Sequence, residues 1–159
     1  MLLPMPQKQD PTPITQQGQF NYDEPEFSPD GKWMAYSCDE SGRNEVYLRP
    51  LEGKGERITI SSKGGGQPQW RGDEKELFYL APDGNMMGVE LKGESLTPTV
   101  PKILFQTNIN APDIDQYAVT RDGKRFLIVN PLETKKESSV AIILNWFEEL
   151  KQRVPTRVQ

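Results

Sequence analysis

A ten-residue pattern that occurs three times constrains the fold of this chain more than any other feature. Each copy contains an aromatic or apolar residue, then a turn with an aspartate, then a short apolar strand, and the copies span 27–36, 70–79 and 119–128. The turn aspartates Asp30, Asp73 and Asp122 are 43 and 49 residues apart. Periods of about 40 to 50 residues are typical of repeats in which one small sheet forms each unit.

The spacing predicts an all-β chain, a partial β-propeller of four-stranded antiparallel blades with a short C-terminal helix. We expect one propeller-type domain with four parts: the rear half of a blade (1–18), two full blades (19–66 and 67–113), and the front of a final blade with the helix (114–159). A chain with fewer than four complete blades leaves a propeller incomplete, because closed propellers have about 4 to 8 blades.

Apolar runs bounded by turn residues predict the individual strands. The first full blade is expected to use 25–27, 33–38, 45–49 and 57–60, and the second 67–70, 76–80, 85–91 and 102–106. The third copy predicts strands near 116, at 125–129 and at 140–144, then a helix capped by Asn145. Residues 2–5 and 12–15 resemble the last two strands of an earlier blade.

Composition disfavours nucleic-acid and membrane partners. The net charge is −4 and no basic cluster exceeds two adjacent residues, so the footprint that binds phosphates is missing. The longest apolar run, 140–144, has five residues, whereas a membrane helix needs about 20. The start of the chain does not read as a signal peptide, so we expect a cytoplasmic location for the chain as written.

The chain contains no histidine and one cysteine. Without histidine there is no Ser-His-Asp or Cys-His pair and no imidazole acid, base or metal ligand. Cys38 ends a predicted strand, where a small buried residue is the simpler interpretation than a reactive thiol. We therefore predict that the chain is not an enzyme and uses no cofactor or metal, and we assign no catalytic residue.

Carboxylates are the remaining candidates for chemistry, and a structural interpretation competes with each. Asp30, Asp73 and Asp122 are expected to bind their own turns. Residues 39–45 loosely resemble a calcium loop but lack its alternating ligands, which favours a hairpin. Asp113 and Asp115 could be the carboxylate pair of a glycosidase, yet their spacing gives no assurance of the required separation, so we favour an interblade loop.

Two further groups of residues have a structural explanation. Ser61, Ser62 and Gly64–Gly66 do not form a phosphate loop, because the lysine precedes the glycines, and we expect a flexible linker. Five aromatic residues fall at repeat-equivalent or neighbouring positions: Trp33, Tyr36, Trp70, Phe78 and Tyr79. We expect most of them to pack between blades, and a binding surface is the lesser alternative. The sequence does not identify which loops bind a partner.

The segment Pro25-Glu-Phe-Ser-Pro-Asp-Gly-Lys-Trp-Met-Ala-Tyr-Ser, followed by Asp39-Glu-Ser-Gly and Glu45-Val-Tyr-Leu, resembles the TolB-type, WD-like propeller repeat. A second set of segments is similar to the C-terminal propeller of certain bacterial serine/threonine kinases: residues 67–70 and 76–84, Leu104-Phe-Gln-Thr, Gln116-Tyr, Asp122-Gly-Lys-Arg-Phe-Leu and Leu144-Asn-Trp. The chain has no kinase motifs, so no kinase activity is implied. Asp73-Glu-Lys replaces Asp-Gly-Lys, which predicts a different turn.

This resemblance implies a sensing or interaction module, which relatives carry outside the cytoplasm. We predict a non-catalytic propeller that binds an unidentified protein or small ligand and belongs to a larger kinase-linked or TolB-like protein. The alternative is an accessory propeller segment of a peptidase-like hydrolase whose catalytic residues lie elsewhere. Exposed blade faces also predict a homodimer that completes a propeller, since unpaired sheet edges favour association.

Overall fold

The computed structural model describes residues 13, 19–52, 55–107, 109 and 116–129, and every regular element within these ranges is a β-strand. The strands form successive antiparallel sheets along the chain, as in the blades of a propeller. The all-β class and the four-stranded antiparallel sheets are therefore confirmed. The division at residues 18, 66 and 113 remains a prediction.

The first sheet is a meander with the order β1-β2-β3-β4. Its strands are β1 (Tyr22–Phe27), β2 (Trp33–Cys38), β3 (Glu45–Pro50) and β4 (Ile58–Thr59). The β2 strand has the predicted bounds, and five of its six residues are buried. Such a continuous buried run is expected when both faces of a sheet are covered.

The second sheet repeats this plan with β5 (Gly66–Trp70), β6 (Glu76–Leu80) and β7 (Asn85–Lys92). Its outer edge differs from the first, because two strands pair with different parts of β7: β8 (Thr97–Pro98) and β9 (Lys102–Gln106). The strand predicted at 102–106 is confirmed. The short β8 strand was not predicted, since two residues carry no periodic signal.

The described part of the third copy contains β10 (Tyr117–Val119) and β11 (Phe126–Ile128), which pair antiparallel. The predicted strand at 140–144 and the helix after Asn145 lie outside the described residues. The strands predicted at 2–5 and 12–15, apart from Pro13, also lie outside them.

Apolar side chains fill the spaces between successive sheets. The largest cluster joins the first sheet, through residues such as Ala35 and Leu48, to Trp70 and Leu77 of the second. A second cluster joins Phe78 to the third sheet, where the ring of Phe126 meets it edge-on at 5.0 Å. Interblade packing of Trp70, Phe78 and Tyr79 agrees with the sequence prediction, and the partly buried Trp33 packs against the first cluster. Tyr36 differs, because it packs in a separate cluster of the first sheet.

The three aspartate turns have the same backbone conformation. Gly31 and Gly123 both have φ of 71°, and Glu74 reaches φ of 61° at the equivalent position. Each of the three donates its N–H to the carbonyl three residues earlier. The prediction of a different geometry at Asp73-Glu-Lys is therefore wrong: hydrogen bonds hold Glu74 in the left-handed region that glycine adopts more easily.

Candidate functional site

The turn aspartates bind their own turns, as the sequence predicted. In the first turn Asp30 Oδ1 accepts the Lys32 N–H at 2.9 Å and the Ser28 hydroxyl at 2.7 Å. Asp122 accepts equivalent bonds from Lys124 and Thr120. These hydrogen bonds hold the pKa of both carboxyl groups below its usual value. The two carboxylates are thus turn elements with stabilised charge.

Asp73 has an additional partner in the second turn. Arg71 donates from Nε and Nη2 to the two carboxylate oxygens, each at 2.7 Å, and this contact, with the Lys75 N–H, holds the pKa of Asp73 at about 2. The same contact raises the pKa of Arg71. A carboxyl group with so low a pKa stays ionised at neutral pH and cannot serve as a general acid there.

The other candidate residues from the sequence either have a structural role or lie outside the described residues. Cys38 is buried, and burial raises the pKa of its thiol, which opposes formation of a nucleophilic thiolate. Asp39 accepts hydrogen bonds from the backbone and side-chain nitrogens of Asn21. Asp113 and Asp115 lie outside the described residues.

The segment from Ser61 to Gly66 is a packed turn rather than the predicted flexible linker. Ser61 is fully buried, donates to Glu45 and accepts the Val46 N–H at 2.8 Å. Both carboxylate oxygens of Glu45 also accept the Gly64 N–H at 3.0 Å. A Cβ at Gly65 would lie 2.7 Å from the Tyr79 ring. Glycine is therefore required at position 65 because the Tyr79 ring lies too close for a Cβ atom. Composition alone does not reveal this contact.

This turn forms one wall of a cleft of about 400 Å³ between the first and second sheets. The polar lining comes from Glu24, Arg43, Asn44, Gln67 and the glycine backbone, and the apolar lining from Leu80, Ala81 and Pro82. Ligand pockets in proteins commonly have volumes of roughly 300 to 1,000 Å³ with a mostly apolar lining and a few convergent polar groups. The interblade cleft, defined by these residues, has both properties.

Glu24 is held in the cleft by an unusual backbone conformation. It lies at a bulge between β1 and β2 with φ of 55°, in the left-handed region that few residues other than glycine adopt. Its Oε2 atom accepts the Ser37 hydroxyl at 2.7 Å and the Gln67 N–H at 2.5 Å. Glu24 forms no ion pair with the described residues. Its carboxylate is thus a positioned negative charge without a cationic partner there.

Arg43 is the cation in the described lining of the interblade cleft, and its guanidinium is held by the buried Glu45 and by an exposed backbone carbonyl. Its Nε atom donates to Glu45 at 2.8 Å, and its Nη2 atom donates to the Ser62 carbonyl at 2.8 Å. Glu45 neutralises this guanidinium, because the two form an ion pair. The charge left uncompensated in the lining is therefore that of Glu24.

Sequence reasoning did not identify Glu24, Arg43 or Gln67. The one available signal was spacing: Gln67 follows Glu24 by 43 residues, the separation of the first two turn aspartates. No motif marks the left-handed backbone of Glu24 or Gln67, so the cleft becomes visible only when the two sheets pack.

In the described ranges no group of three or more Cys, Asp or Glu side chains is arranged to hold a metal ion. Within the same ranges, no helix has the length and apolar character needed to cross a membrane.

Comparisons with known proteins found similar solved structures. No protein-family model matches the chain. No curated protein matches it either. The crystal structure of oligogalacturonate lyase from Vibrio parahaemolyticus is similar over 67% of this chain, with 22% identity and a TM-score of 0.49. The chain spans only 28% of the length of that protein.

This comparison corrects one prediction. The expectation that the chain is not an enzyme is wrong on this finding, because the similar solved structure is that of an enzyme. At 22% identity the likeness gives this chain no activity and no catalytic residue. The predicted kinase link, the hydrolase alternative and the cytoplasmic location remain predictions.

Proposed function

We propose that the chain is a propeller-type interaction module that binds a short basic peptide segment of a protein partner in the interblade cleft. The observation that carries this proposal is the positioned carboxylate of Glu24 beside an apolar wall formed by Leu80, Ala81 and Pro82. A lysine or arginine side chain matches this lining, since its alkyl stem packs on apolar groups while its charge meets a carboxylate.

Charge in and around the cleft supports a cationic ligand. The Arg43 guanidinium is paired with Glu45, whereas Glu24 pairs with no cation among the described residues. The whole chain has a net charge of −4, which attracts basic segments over a distance of several ångströms. The volume of about 400 Å³ is suited to one long side chain and its neighbouring backbone.

The test is a titration of the chain with a capped alanine–lysine–alanine tripeptide, followed by the backbone amide signals of Gly64, Gly65 and Gln67 in two-dimensional NMR spectra. We expect saturable shifts of these three signals, and none with the matched tripeptide that has glutamate in place of lysine. Absence of saturable shifts at millimolar concentrations of the lysine peptide would contradict the proposal.

A matched pair of variants separates the cleft from general attraction to a negative protein. Glu24→Gln removes the charge but keeps an oxygen that can accept the Ser37 and Gln67 hydrogen bonds, so the fold is expected to persist. Glu94→Gln removes the same charge from an exposed turn outside the cleft lining. We expect at least tenfold weaker binding for Glu24→Gln and unchanged binding for Glu94→Gln. Equal weakening by both would indicate non-specific attraction.

A further inference from the structure

A hydrogen bond repeats between successive sheets, at the first strand of each: β1, β5 and β10, with Gln116 directly before β10. We call these three the inner strands. Glu24 Oε2 accepts the backbone N–H of Gln67, 43 residues later, at 2.5 Å. Gln67 Oε1 accepts the backbone N–H of Gln116, a further 49 residues along, at 2.9 Å. These separations equal those of the turn aspartates, so the three residues are repeat-equivalent. The side chain of each sheet thus binds the backbone of the next sheet.

The series ends on an atom that lacks a partner. Gln116 is 7% exposed, and its Oε1 atom is buried without a hydrogen bond among the described residues. Buried polar atoms in native proteins are nearly always hydrogen-bonded, because leaving one unpaired keeps its desolvation cost. By analogy with Glu24 and Gln67, the missing partner is a backbone N–H from the inner strand of another sheet of this repeat.

The apolar surface beside Gln116 also lacks the covering that its equivalents have. Phe78 and Leu80 of the second sheet are buried in the cluster that includes Tyr117 and Phe126 of the third sheet. Their repeat equivalents, 49 residues later, are Leu127 and Val129, which are 70% and 60% exposed. We call Gln116, Leu127 and Val129 the trailing face.

The first sheet exposes the complementary position. Trp70 of the second sheet is 6% exposed and packs in the cluster between the first two sheets, where its Nε1 atom donates to the Glu26 carbonyl at 3.4 Å. Its repeat equivalent, 43 residues earlier, is Phe27, which is 58% exposed. We call Phe27, with Glu24 on the same strand, the leading edge.

We propose that the trailing face of one copy of this chain binds the leading edge of a second copy, head to tail. In this contact Gln116 Oε1 accepts the backbone N–H of Glu24 in the second copy, and Phe27 of that copy covers Leu127 and Val129. The second copy carries the same repeat unit, whose strands make this contact within one chain. Two such contacts close a ring around a twofold axis.

The association is weak and concentration-dependent. The new contact is confined to the leading edge, because other apolar residues of the first sheet are already buried in the single chain: Met34, Tyr36 and Tyr47. Interfaces below about 1,200 Å² are typical of transient complexes. Each copy also has a charge of −4, so moderate salt is expected to strengthen the dimer by screening the repulsion.

Sedimentation velocity of the full chain over a concentration series tests this proposal. We expect a reversible dimer for the native chain, loss of that dimer in Leu127→Asp, and its retention in Val100→Asp, which adds the same charge at a residue that is 82% exposed and outside both surfaces. A native chain that stays monomeric at the highest soluble concentration, or a dimer unaffected by Leu127→Asp, would overturn the proposal.

Complementation distinguishes head-to-tail contact from other dimers. Phe27→Asp and Leu127→Asp each leave one surface intact, and both residues are exposed enough for the fold to tolerate the change. We expect each variant to be monomeric alone and an equimolar mixture to form a heterodimer through its one intact pair of surfaces. If Phe27→Asp dimerises alone as well as the native chain, the trailing faces bind each other and the proposal is wrong. A mixture that stays monomeric, when the native chain dimerises, also overturns it.

Discussion

The Tyr117 hydroxyl donates a hydrogen bond of 2.5 Å to the backbone carbonyl of Gln67, and both residues are buried. This contact joins the third sheet to the second across 50 residues of sequence. Gln69 adds two hydrogen bonds between the same sheets. Its Nε2 atom donates to the Tyr117 carbonyl at 3.0 Å, and its Oε1 atom accepts the Val119 N–H at 3.0 Å. Polar side chains therefore link the inner strands where the sheets meet.

We predict that Tyr117→Phe lowers the free energy of unfolding by about 1 to 3 kcal/mol, because it removes a hydrogen-bond donor from a buried carbonyl. Urea denaturation followed by tryptophan fluorescence measures the change. Tyr22→Phe is the matched control, since Tyr22 is only half-buried and no hydroxyl hydrogen bond links it to the described residues. Equal effects of the two variants would show that the Tyr117 hydroxyl contributes nothing specific.

We predict that Asp73 contributes stability that acid removes. Its pKa is lowered from 3.8 to about 2 in the folded chain, chiefly by Arg71. Because the pKa is lower in the folded chain than in the unfolded chain, the stabilisation by the ionised carboxylate is fully present above pH 3.8. It is lost as the pH falls toward 2. Because the pair is partly exposed, we expect only about 0.5 to 1 kcal/mol.

The measurement for Asp73 is a pH series of urea denaturation for the native chain and Asp73→Asn. The two proteins should differ most at neutral pH and converge as the pH falls through this window. A difference that stays constant from neutral pH to below the folded pKa would show that the effect comes from the turn geometry and not from the charge.

We predict that Gly65→Ala destabilises the chain by about 1 to 3 kcal/mol through steric overlap with Tyr79, because a Cβ would lie 2.7 Å from its ring. The control is Gly42→Ala, where a Cβ meets nothing within 4 Å but φ is 91°. That control reports the cost of a left-handed backbone alone. Each glycine substitution is then combined with Tyr79→Leu, and the double variants are measured by thermal unfolding. Only the destabilisation caused by Gly65→Ala should become smaller when the ring is removed.

Much of the strand pattern can be predicted from sequence because local signals define it. The bounds of β2 and β6 follow from apolar runs between aspartate turns, and the observed strands agree. The interblade cleft could not be predicted in the same way. It depends on Glu24 and Gln67, whose left-handed conformations carry no composition signal, and on a turn whose glycines are required by neighbours distant in sequence. Local patterns predict which residues form strands, whereas packing decides which polar groups meet.

The repeated hydrogen bond is the central feature of this account, and amide hydrogen exchange measures it most directly. We predict slow exchange for the Gln67 and Gln116 amides in the native chain, because both donate to side chains of the preceding sheet. Glu24→Ala should accelerate exchange at Gln67 by at least tenfold and leave Gln116 slow. Gln67→Ala should accelerate exchange at Gln116. Fast exchange at both amides in the native chain, or no change in either variant, would contradict the account.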